Sequence, residues 1–165
     1  MKNLSKSKIK KIKQAINAWN KINKKGHYRA RFVKKMKGLG WDYDGSGAYK
    51  HVLYKDSVVI KINKFKNADR DEVGLEYEQY MVANNKLKKH LATIYGYYDG
   101  LLIQNKIRKV EWQSCYSHTK AFQIKAEKIA KKFNLEDFYQ NWGISRQGII
   151  QFHDLVNYSI ISDNS

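Results

Sequence analysis

The chain has 165 residues, with 32 Lys and Arg against 15 Asp and Glu, a formal net charge of +17, and 42% hydrophobic content including 13% aromatic residues. That apolar content can bury a core, which excludes global disorder and predicts one domain with an appended arm. No apolar run approaches the length of a membrane span, and the start MKNLSKSKIKKIK lacks the apolar stretch of a secretory signal, so the expected setting is soluble and cytoplasmic.

A single cysteine, Cys115, excludes an intrachain disulfide and a multi-cysteine zinc site. His27, His51, His90, His118 and His153 are scattered without metal-ligand spacing. The charge predicts attraction to a polyanion, whether nucleic acid, an acidic protein or an anionic membrane. The abundance of Lys, Asn and Ile, with no proline, is also what AT-rich coding produces, as in many phages.

Residues 4–24 space Ile9, Ile12, Ile16, Trp19 and Ile22 by three and four, which predicts a basic amphipathic helix, and Gly26 suits its C-terminal cap. Such a helix either docks on a core with a solvated lysine face or contacts phosphates or lipid head groups. We read residues 1–27 as this arm and 28–165 as the single domain, with 28–37 a short basic loop or helical turn. From residue 38 the pattern becomes that of short strands: GLGWDYD, YKHVLY and SVVIKI, with Gly45 and Gly47 at the first turn and KDS at the second. Residues 67–86 predict a helix capped by Asn67 or Asp69, with Val73, Tyr77, Tyr80 and Met81 on its apolar face. A hairpin follows, with strands near 91–97 and 101–107 turning at Asp99-Gly100. Residues 117–133 predict another helix with Phe122, Ala126, Ile129 and Phe133 on one face, and NWGISRQGIIQFHDL closes as a small hairpin turning at Gly148. The order is α+β, with a mainly antiparallel five-stranded sheet and one helix inserted after its third strand.

Lys61 stands out within VVIKI. Flanked by Val58, Val59, Ile60 and Ile62, it is either a snorkelling surface residue or a buried cation that needs an anionic partner. Glu76 is the first candidate for that partner and Glu72 the second, since they share a helix face at i and i+4; Glu78 is a weaker third.

This order of elements resembles the N-terminal lobe of a protein kinase. GSGAYKHV supplies Gly45, Gly47, Tyr49 and Val52 of the family's glycine-rich loop, with Lys50 where the third glycine stands. Two glycines in a hairpin are also what an ordinary turn requires. VVIK resembles the family's V-A-I-K, and that resemblance implies that Lys61 pairs nucleotide phosphates and a glutamate of the next helix, with Lys50 adding charge. NWGISRQGIIQFHDL fits the frame from the catalytic-loop asparagine to the metal-binding aspartate, implying Asn141 and Asp154 as Mg²⁺ ligands beside ATP. Five residues before Asn141 stands Glu136, with Asp137 one position off, so the implied catalytic base is one of these two.

The departures point away from catalysis. Leu155 and Val156 follow Asp154 where the family has Phe-Gly, and the chain ends at Ser165 without an activation segment or later helical lobe. The resemblance covers roughly residues 38–157 and implies a severely reduced C-terminal lobe. It is similar to small kinase-like proteins of phages, which would set it in the host-cell cytoplasm. Three functions follow as expectations: a degenerate, pseudokinase-like binding module presenting a basic surface to a host protein or nucleic acid; a minimal ATP/Mg²⁺-dependent phosphotransferase; or a nucleic-acid-binding α+β domain of unrelated fold using Trp19, Trp41, Trp112 and Trp142 for stacking.

Overall fold

The structure, a computed structural model, describes residues 4–22, 24–64, 71–109, 117–135, 141–145 and 147–153. The chain divides into two compact units, residues 1–77 with 94–106, and residues 78–93 with 107–165.

The first unit begins with helix α1 (Lys6–Asn20), capped by the Ser5 hydroxyl, which accepts from the Lys8 N–H at 3.3 Å. A second helix, α2, spans Tyr28–Gly38, so the stretch from residue 28 is a full helix rather than a loop or single turn. Its buried Phe32 and Met36, one turn apart, are the apolar signal that the surrounding cations obscured. Gly26 adopts φ +61 within the connection, six residues past the end of α1, so it does not cap that helix.

The strands β1 (Asp42–Asp44), β2 (Lys50–Lys55), β3 (Val58–Asn63), β4 (Ile94–Tyr97) and β5 (Leu101–Asn105) form one antiparallel sheet in the order β1-β2-β3-β5-β4. The predicted five-stranded α+β arrangement is therefore observed. Asp99 and Gly100 both take positive φ, 47° and 85°, as a two-residue hairpin turn of this hand requires. One face of the sheet, with Leu53, Val58, Ile60, Ile62, Leu101 and Ile103, packs in a common core with Ile12, Ala15, Trp19, Phe32 and Met36 of α1 and α2. Trp19 meets Phe32 in a T-shaped contact at 4.9 Å. Two α1 lysines are tied down: Lys8 donates to Tyr95 at 2.8 Å and Lys11 pairs with Asp56 at 2.5 Å in the β2–β3 turn.

The predicted helix 67–86 is two helices, α3 (Glu72–Val82) and α4 (Asn85–Lys88). They separate because the Asn84 side chain accepts from the Leu87 N–H at 2.9 Å and starts a new helix. The expected caps Asn67 and Asp69 lie outside the described residues.

In the second unit, α5 (Ser117–Lys132) buries Ala126 and Ala130 in a core with Leu87, Leu91, Leu135, Trp142 and Phe152. Strands β6 (Arg108–Lys109), β7 (Trp142–Ile144) and β8 (Ile150–Phe152) form a three-stranded antiparallel sheet. The predicted β7–β8 hairpin is present, with Gly148 at φ +76; β6 was too short to register as a strand in the sequence.

Candidate functional site

Residues directly opposite each other on paired strands project to the same face of a sheet. Lys61 lies opposite Val52 and Leu102, and Lys50 opposite Asn63, so these five share the face away from α1 and α2. All of Val58–Ile62 is buried because both faces of β3 are covered. Lys61 is thus not a snorkelling surface residue; it is 3% exposed.

Its partner is Glu76 of α3. The Lys61 ammonium donates to Oε1 at 2.6 Å, and the Lys50 ammonium donates to Oε2 at 3.1 Å. Glu76 is 1% exposed, so one buried carboxylate receives two buried ammonium groups, one on each oxygen. Of the other two acidic candidates, Glu72 is buried one turn earlier on the same helix, whereas Glu78 is exposed. The acidic face of α3 is its inward face here; Met81, expected on the apolar side, is 54% exposed.

A polar cluster fixes the start of α3. Asp71 accepts from the Gly74 N–H at 3.0 Å, from the Asn63 amide at 2.6 Å and from the Tyr97 hydroxyl, and Asn63 Oδ1 accepts from the Val73 N–H at 3.2 Å. Burial alone would raise the Asp71 pKa, but these donors outweigh it and hold the carboxyl below the usual carboxylate range. Burial and then the bond to Asp71 push the Tyr97 hydroxyl up to about 12. Asn63 stands two residues after Lys61, so a single strand face positions both the ion pair and the helix that carries its carboxylate.

The loop between β1 and β2 carries several internal hydrogen bonds. The Asp44 carboxylate accepts from the Ser46 N–H at 2.9 Å and its hydroxyl at 2.6 Å. The Lys64 ammonium donates to the Gly45 carbonyl at 2.5 Å and to the Gly47 carbonyl, and its N–H donates to Tyr49 O at 2.8 Å. A Cβ on Gly45 would lie 2.4 Å from the Tyr43 hydroxyl, so any larger residue there would have to displace that ring. Tyr43 in turn is hydrogen-bonded to His51 Nδ1 at 2.8 Å. Burial, then the charges of Lys64 and Arg29, hold the His51 pKa below its ordinary value. A phosphate needs converging donors. Here the Asp44 carboxylate holds the Ser46 N–H, and the Gly45 and Gly47 carbonyls converge on the Lys64 ammonium, so these groups are engaged with one another. Lys50, expected to add charge for phosphates, donates to Glu76. Lys64, Asn63, Asp71 and Tyr97 carry no motif, and their roles arise only from strand register and the packing of α3.

Asn141 lies at the base of the β7–β8 hairpin, where its carbonyl accepts from the His153 N–H at 2.9 Å. The implied bases Glu136 and Asp137 and the second implied metal ligand, Asp154, lie outside the described residues. Among the described residues no group of three His, Cys, Asp or Glu is arranged to hold a metal ion. Trp19, Trp41 and Trp142 are buried at 2%, 3% and 5% exposure, which removes them as stacking platforms; Trp112 lies outside the described residues. No helix among the described residues is long and apolar enough to cross a membrane. Comparison with models of known protein families finds no match, and a search among curated proteins finds none either.

Proposed function

We propose that the chain is a degenerate kinase-like binding module, not a phosphotransferase, that presents a basic surface to a polyanionic partner in the cytoplasm of a host cell. The observation that carries this reading is that groups of the glycine loop are engaged internally, the Ser46 N–H by Asp44 and the Gly45 and Gly47 carbonyls by Lys64. The Lys61–Glu76 pair supports the kinase-like part of the reading, since the family it resembles uses that pair to orient a phosphate-binding lysine. In this chain the second Glu76 oxygen is taken by Lys50, which turns the pair into a structural triad. The same Lys61–Glu76 pair favours, as a second reading, a minimal phosphotransferase using ATP and Mg²⁺ with Asn141 and Asp154.

Thermal shift and titration with ATP, with and without Mg²⁺, followed by incubation with labelled ATP and a range of acceptors, separate the two. The binding-module reading expects no stabilisation by nucleotide and no transfer. Robust transfer abolished by Asp154→Ala would overturn it.

A further inference from the structure

We propose that the outer face of α1 is a docking surface for double-stranded DNA, contacted through its phosphate backbone. Positions 6, 10 and 13 of a helix lie on one side, and in α1 that side is opposite the stripe of Ile12, Ala15 and Trp19 that enters the core. Lys6, Lys10 and Lys13 are exposed there and, with Ile9, Gln14 and Asn17, line a shallow groove. Lys8 and Lys11, on the inner flank, are spent on Tyr95 and Asp56 and do not belong to this surface.

Charge complementarity names the occupant. The first 41 residues hold 14 Lys and Arg and no Asp or Glu, so no carboxylate of this segment competes for the exposed cations. Lys34 and Lys35 of α2, which shares a core with α1, are exposed as well. A protein partner needs apolar or aromatic anchors, yet the groove offers only the half-buried Ile9, and among the described residues the one large exposed apolar side chain near either helix is Leu39 at the end of α2. Single strands need aromatic platforms, and Trp19, Phe32 and Trp41 are all inside the core. A duplex backbone needs only cations and polar groups. An α-helix with its side chains is about 10–12 Å across, close to the roughly 12 Å width of the B-DNA major groove, so α1 can lie along the groove with its lysines reaching the flanking phosphates. The deep, narrow major groove of duplex RNA does not admit a helix in this way.

This inference rests on the binding-module reading and names its partner, but the two fail separately, because phosphate transfer would overturn that reading without touching DNA binding. The test is fluorescence anisotropy of the full chain with a labelled DNA duplex, the corresponding single strand, duplex RNA and poly-glutamate, each at several salt concentrations. Duplex DNA should bind tightest, with a steep salt dependence. The Lys6→Ala/Lys10→Ala/Lys13→Ala variant should lose about tenfold or more in affinity near physiological salt, and its log–log salt slope should flatten by about 3. Lys10→Glu alone, one exposed position, should weaken binding in the same direction with an unchanged melting temperature. Undiminished binding by either folded variant, equal or tighter binding of single strands, duplex RNA or poly-glutamate, or a salt-insensitive affinity would overturn the proposal.

Discussion

Lys61 of β3 and Glu76 of α3 meet at 2.6 Å with both side chains buried, and this contact ties the helix to the middle of the sheet. Removing one member of a buried ionic group leaves the others desolvated and unbalanced. Glu76→Ala is therefore expected to cost about 3–5 kcal/mol of stability, read from urea unfolding. Replacing all three members with apolar residues, Lys50→Met, Glu76→Leu and Lys61→Met, should recover most of that loss. A loss under 1 kcal/mol for Glu76→Ala would mean the triad is hydrated and weak.

The Asp71–Tyr97 contact predicts pH dependence at two extremes. Tyr97 has a raised folded pKa, so its contribution is complete below the unfolded value of about 10 and disappears as pH rises through about 12. Tyr97→Phe should flatten the alkaline limb of the stability profile. Asp71 has a lowered folded pKa, so its contribution is complete above the ordinary carboxylate value and disappears as pH falls through the lower folded one. Asp71→Asn should flatten the acid limb. Thermal melts of both variants across pH check the two signs.

His51 acts in a separate window. Its folded pKa is lowered, so the unfolded chain binds the extra proton first. Stability is complete above the ordinary histidine value of about 6.5 and falls as pH drops below it. Reducing positive charge nearby with Lys64→Met should raise the His51 pKa, observed by titrating the imidazole protons in NMR spectra. No movement would leave burial and the Arg29 charge as the causes.

Freeing the β1–β2 loop should change its dynamics. Lys64→Met removes the ammonium that the Gly45 and Gly47 carbonyls share, so amide exchange from Ser46 to Tyr49 should quicken while the β2–β3 amides stay protected. Equal exchange in variant and parent would assign the loop's order to the bonds the variant keeps, those of Asp44 to Ser46 and of the residue 64 N–H to the Tyr49 carbonyl.

The N-terminal helix is core, and Trp19 tests this. Trp19→Ala should cost about 3–5 kcal/mol, the usual loss for a buried aromatic. A variant as stable as the parent would show that α1 is dispensable to the sheet it covers.

The hairpins and the five strands were legible because their signals are local: alternating apolar residues, Asp99-Gly100, and glycine at the first turn. Lys61 was legible because five consecutive residues with an apolar majority imply a strand covered on both faces, where a cation needs a partner. Glu76 followed from helical spacing. The sequence was silent on Lys50 as a second donor, because its role depends on β2–β3 register rather than on neighbours in the chain. It was equally silent on Lys64, whose bonds are to backbone carbonyls that any residue supplies. The α2 helix was missed because its two fully buried positions, Phe32 and Met36, stand among five cations, too few for a periodic signal.

The outer strands of the sheet, β1 and β4, bear on how a partner can attach at all. β1 is three residues long and bounded by Asp42 and Asp44, while β4 breaks its pairing register between Ile94 and Gly96. Short, charged or bulged rims offer a poor template for another chain to add itself as a further strand. Backbone-to-backbone zippering, the commonest way for a sheet to recruit a peptide or to aggregate, is disfavoured along these two strands. These two rims should therefore resist edge-to-edge association at concentrations where longer, bare rims begin to pair, which leaves the helical side of the unit for the DNA contact proposed above.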